Sequence, residues 1–93
     1  MKKGYKLVLV NNYEDLEKAD MEHLIDDKLV TLQDIKGAYV DDGKEREYEP
    51  SGKEVWIKFI SQVDRYVDLV DTVAEIDRKG ELYISAEDME KLF

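Results

Sequence analysis

Twenty-three carboxylates, one histidine and no cysteine set the chemistry open to this chain of 93 residues. Nucleophilic catalysis needs a serine, threonine or cysteine held within hydrogen-bond reach of a base. The serines are Ser51, Ser61 and Ser85, and the only imidazole is His23. Ser51 and Ser85 stand where helices are expected to start, and there a hydroxyl serves as a cap. His23 lies in a charged segment read as helical, where an exposed or half-buried ring is expected. No glycine-rich loop is spaced to cradle a phosphate. Carboxylate-pair hydrolysis is compatible with the residue types, but among so many acids the nearness of any two carries no signal. The chain is therefore expected to be non-catalytic and to hold no cofactor.

The carboxylates are more informative as a surface. Asp64, Asp68, Asp71 and Glu75 are spaced four, three and four apart. On an α-helix that spacing puts them on one face. The expected helix runs from Gln62 to Ile76, with Val63, Tyr66, Val67, Val70 and Val73 as its apolar stripe. Successive carboxylates would then stand roughly 5–6 Å apart, close to the spacing of phosphates along a nucleic-acid strand. Arg65 is the one basic residue in that stretch. Like charges at this spacing cost roughly 0.2–0.5 kcal/mol per pair, which a solvated face avoids by mixing signs. A second concentration lies between Asn11 and Asp42, with ten carboxylates against Lys18, Lys28 and Lys36. Tyr48 and Trp56 are the aromatics that could anchor a partner if exposed.

The segment Asp77 to Asp88 resembles an EF-hand calcium loop of the calmodulin type. Asp77 stands at the first ligand position, Ile84 at the central apolar position and Asp88 at the last. Lys79 replaces an oxygen ligand at the third position, and Leu82 replaces the glycine of the sharp turn. The resemblance implies a helix before the loop and a module that binds no metal.

Composition narrows the partner. The net charge is -9, and 40% of residues are charged against about 25% in ordinary domains. A phosphate backbone or an anionic membrane would be repelled, whereas a basic protein surface would be attracted. The absence of cysteine fits a reducing, cytoplasmic setting. The apolar run Leu7 to Val10 is too short for a signal peptide. The length suits one domain, and the oligomeric state is left open.

The elements that would position these groups read as a single α+β domain, a short sheet with about three helices. Tyr5–Val10 reads as a strand, and Asn12 can cap a helix running to about Ile25. Residues 28–31 read as a short extended piece, and Thr31 with Asp34 can cap a short helix to about Tyr39. Asp41-Asp42-Gly43-Lys44 reads as a turn, followed by a hairpin strand at 45–49. Residues 54–60 are open between two readings: Trp56, Phe59 and Ile60 continue the helical stripe behind a Ser51–Glu54 capping pair, while β-branched and aromatic composition leans towards strand. Gly80 closes the 62–76 helix, Glu81–Ile84 reads as a strand, and Ser85 caps a last helix. The functional expectation is an acidic interaction protein. Its sharpest form is a nucleic-acid mimic that inhibits a DNA- or RNA-binding protein, with Asp64, Asp68, Asp71, Glu75, Trp56 and Tyr48 as contacts. In size and charge the chain resembles small acidic inhibitors found among phage proteins. The alternative is the EF-hand-like module.

Overall fold

A computed structural model describes residues 1–63 and 66–92. The elements in chain order are β1 (Lys2–Leu9), α1 (Tyr13–Lys18), α2 (His23–Asp26), α3 (Leu32–Ile35), β2 (Tyr39–Tyr48), β3 (Pro50–Val63), β4 (Tyr66–Asp77), β5 (Leu82–Ser85) and α4 (Ala86–Glu90). The described residues are mostly β, with 53% strand and 21% helix. The five strands close into a barrel in sequence order, and antiparallel pairing of β5 with β1 completes the ring. β2 meets β3 at a single bridge, Tyr39 with Phe59. The expected α+β sheet with an amphipathic helix at 62–76 is thus replaced by a β-barrel with four short helices.

The 62–76 segment is the main correction. Its described residues form the end of β3 and most of β4, and the two strands pair from Pro50–Asp77 to Val63–Tyr66 as one long ribbon. The helical spacing of its valines has a different cause. The ribbon is covered on opposite faces at different points. Phe59, Ala74 and Val70 turn into the barrel core with Leu7, Ile57, Ile84 and Met89. Ile60 and Val67, on the other face, pack into a second core under the helices, with Val10, Leu16, Leu24, Ile35 and Val40. A period of two that changes face partway along looks like a period of three or four. β-branched Val63, Val67, Val70, Thr72 and Val73 favour the strand.

The helices between β1 and β2 form an insert capping one flank of the barrel. Asn12 caps α1 and Thr31 caps α3, each in a reciprocal capping box with Asp15 and Asp34. The helix expected to reach Ile25 breaks after Lys18. Asp20 sits at φ 57, and the amides of Asp20 and Met21 bond back to the carbonyls of Glu17 and Leu16. That is a Schellman ending. Lys28 repeats it after α2, at φ 59, with Lys28 and Leu29 donating to Ile25 and Leu24. The turn expected at 41–44 lies inside β2, as a bulge. Tyr5 pairs with Glu45 and Leu7 with Asp41, so one residue of β1 faces three of β2. The side chains of Asp41 and Asp42 accept from the amides of Gly43 and Lys44 to hold it.

Candidate functional site

Of the residues expected to form one acidic face, the described ones, Asp68, Asp71 and Glu75, do not gather into one exposed cluster. Asp64 lies outside the described residues. Asp68 pairs with Ser61 and Asp71 with Lys58 on successive, opposite faces of the ribbon. Glu75 shares a face with Asp71 but is buried. Its Oε1 accepts from Lys2 Nζ at 2.6 Å, and its Oε2 accepts from the Tyr48 hydroxyl at 3.0 Å. Tyr48 is 3% exposed and stacks on Tyr83 with centroids 4.4 Å apart, so it is no anchor for a partner. Burial and the Glu75 bond together push the Tyr48 phenol well above its ordinary value. The same bond raises Lys2, against its partial desolvation. This cluster fastens β1, β2, β4 and β5 together from outside the barrel. Of the expected contacts, Trp56 stands out, 76% exposed on the ribbon.

The loop likened to an EF-hand lacks its scaffold. A strand precedes it instead of a helix, and Asp77 is spent on the β4–β5 turn. Asp77 Oδ1 accepts from the amides of Lys79 and Glu81 at 3.0 and 2.8 Å. Among the described residues no group of three His, Asp or Glu side chains is placed to hold a metal ion.

The second acidic concentration becomes a surface. Of the carboxylates between Asn11 and Asp42, Glu14, Glu17, Asp20, Asp26, Asp27 and Asp34 are exposed. The three lysines of the segment are exposed too, so the excess remains. Ten acids against three bases leave -7 of the chain's -9 in this segment. Capping draws Asp34 down from its ordinary value, through the Thr31 hydroxyl and then the Thr31 amide. Asp26 accepts the Tyr13 hydroxyl at 2.8 and 3.0 Å. That hydrogen bond pushes the Tyr13 phenol up to about 12. His23 is half-buried, with Nε2 3.0 Å from Gln62 Oε1, which ties the insert to β3.

Within the insert lies a groove of about 480 Å3, lined by Ile25, Lys28, Leu29, Val30, Thr31, Leu32 and Asp34. It exists because Lys28 reverses the chain, so Leu29 and Val30 fold back beside Ile25 and Leu32. Asp26 and Asp27 precede it in the chain and Asp34 lies on its wall. The extended piece expected at 28–31 gives no sign of this groove. The available signal was the apolar set Leu24-Ile25, Leu29-Val30 and Leu32 in otherwise charged surroundings.

Comparison with known proteins returned no family model, no curated protein and no solved structure that matches this chain. Fold and site define the class: a small β-barrel carrying a strongly acidic helical cap. No helix among the described residues is long and apolar enough to cross a membrane.

Proposed function

We propose that the protein is a non-catalytic interaction module that docks its acidic insert on a basic protein surface. In the sharpest form of this reading the partner is a DNA- or RNA-binding protein, and the insert occupies the surface that otherwise receives nucleic acid. The observation that carries the reading is the apolar groove of Ile25, Leu29, Val30 and Leu32 set within the segment that holds -7 of the net charge. Charge steers and selects a partner, while apolar burial holds it. An aliphatic side chain seated in the groove would contribute about 1.5–3 kcal/mol. The carboxylates around it would favour Lys and Arg on the flanks of that side chain. Local caps hold the insert's backbone, so little ordering is left for binding to oppose. The absence of cysteine supports a cytoplasmic setting.

The test is capture of basic proteins from a cell lysate on the immobilised chain, eluted by rising salt. Retention should fall steeply with salt, should be lost in a Leu29→Asp chain, and should be displaced by added duplex DNA or RNA. A partner whose retention ignores both salt and Leu29→Asp would refute the reading. One that ignores added nucleic acid would refute the mimicry alone.

A further inference from the structure

The ribbon runs on past the barrel. β5 pairs with β4 only at Glu75 and Ile76, and β2 meets β3 only at Phe59. Beyond the Phe59–Val70 pair, the described residues of 60–63 and 66–69 pair only with each other. One face of this overhang is covered. Ile60 and Val67 pack into the core under the insert, and Gln62 meets His23 and donates to the Met21 sulfur. The other face carries Ser61 opposite Asp68 and Val63 opposite Tyr66. Val70 and Leu92, both packed on the barrel core, stand at its inner end. Between these side chains lies a cavity of about 390 Å3, within the size range of small-molecule sites.

The cavity is apolar, with two polar side chains next to each other on one wall. Ser61 is 5% exposed, and its hydroxyl finds no hydrogen-bond partner among the described residues. A buried hydroxyl left without a partner is costly unless a ligand or water supplies one. Asp68 beside it is exposed and forms no ion pair with a described residue. Tyr66 stands open at the rim, 80% exposed, and offers a ring face to a cation. No lining residue is basic and the chain carries -9, so an anion is repelled. A carboxylate and a hydroxyl side by side match a charged donor, and the walls match a carbon body. We propose that this cavity binds a small organic ammonium. Its N–H groups donate to Asp68 and Ser61, and its apolar body lies against Val63, Tyr66, Val70 and Leu92. The insert braces the overhang from behind, so the site is formed before the ligand arrives. It lies on the face of the ribbon turned away from the insert, and its test is separate from that of the proposed function.

Amide NMR shifts of the intact chain, titrated with 2-phenylethylammonium chloride at constant ionic strength, test it. Binding should saturate with a Kd of about 0.1–10 mM, as suits so small a ligand. The shifts should gather at Ser61, Val63 and Tyr66 to Val70, and leave Ile25 to Asp34 in place. Phenylacetate, with the same ring and the opposite charge, should bind about tenfold more weakly or not at all. Methylammonium, which lacks the body, should give no saturable shift at these residues. Asp68→Asn should weaken the amine about threefold to fivefold and leave neutral 2-phenylethanol unchanged. Asp68 is exposed, so the variant keeps the fold, and the amide spectrum checks this; the wild-type titrations need no variant. No saturable shift of the wild-type chain up to about 20 mM amine overturns the proposal. So do shifts centred on the insert, phenylacetate or methylammonium binding as well as the amine, or an Asp68→Asn chain that binds the amine like wild type.

Discussion

Gly4 is the position where a single methyl group tests the barrel's outer packing. It pairs with Arg46 of β2 and Ser85 of β5. A Cβ built there would stand 2.4 Å from the Ile84 carbonyl oxygen, 2.8 Å from Cε1 of Tyr48 and 3.0 Å from the Ser85 Cα. Two of these neighbours are backbone in the β1–β5 pairing and cannot swing away. The third is a ring held by its stack on Tyr83 and by its bond to Glu75. Overpacking of this kind costs about 1–3 kcal/mol. The alanine also stiffens the unfolded chain, which offsets about 0.4–1 kcal/mol. Taking the centres of the two ranges, Gly4→Ala should destabilise by about 1.3 kcal/mol net, and a chain of this size should melt about 5–10 °C lower. Thermal unfolding followed by circular dichroism reads the loss. The near-ultraviolet signal of the Tyr48–Tyr83 stack should fall with it. An unchanged or higher melting temperature with that signal intact would refute the packing derived for β1, β2 and β5.

Two further predictions concern tyrosines. Tyr48→Phe keeps the stack on Tyr83 but removes the bond to Glu75, which retains Lys2; it should destabilise by about 1.5 kcal/mol in denaturant unfolding, and no loss would mean the bond contributes nothing. Tyr13 is raised from 10.0 to about 12 in the folded chain, so its neutral form is favoured on folding. Its contribution is complete below the unfolded value and is lost as pH rises from there through the folded one. Comparison of absorbance titrations should show that the phenol lost in Tyr13→Phe ionises near pH 12, and stability should decline over the same alkaline window; a lost phenol that ionises near the ordinary value of 10.0 would contradict the Tyr13–Asp26 bond.

Local chemistry was legible in the sequence, and long-range pairing was not. Asn12, Thr31 and Ser85 each cap the helix expected of them, because a side-chain oxygen at a helix start is a local device. β1 and β5 were legible from β-branched and aromatic runs, whereas residues 54–60 carried that composition together with a helical spacing and were legible only as a leaning towards the strand they form. The lengths of the first two helices were not, because both Schellman endings use Asp20 and Lys28 where glycine is the usual signal. The Asp41–Lys44 sequence does bend the chain, as a bulge within β2 rather than a loop between elements. The 62–76 segment was misread because barrel core and insert core draw on opposite faces of one strand. That error carried the acidic stripe with it. The charge excess of Asn11–Asp42 survived because it rests on composition and on no assumed period.

The central claim is that the insert, and not the ribbon, meets a basic partner. Its most direct measurement is the salt-dependent retention of captured basic proteins on three forms of the chain: wild type, the Asp27→Lys/Leu29→Ser variant of the insert, and the Asp71→Lys variant of the ribbon. The insert variant should lose retention by tenfold or more, equivalent to about 1.4 kcal/mol, while the ribbon variant should match wild type. Retention lost in the Asp71→Lys chain and kept in the insert variant would contradict it.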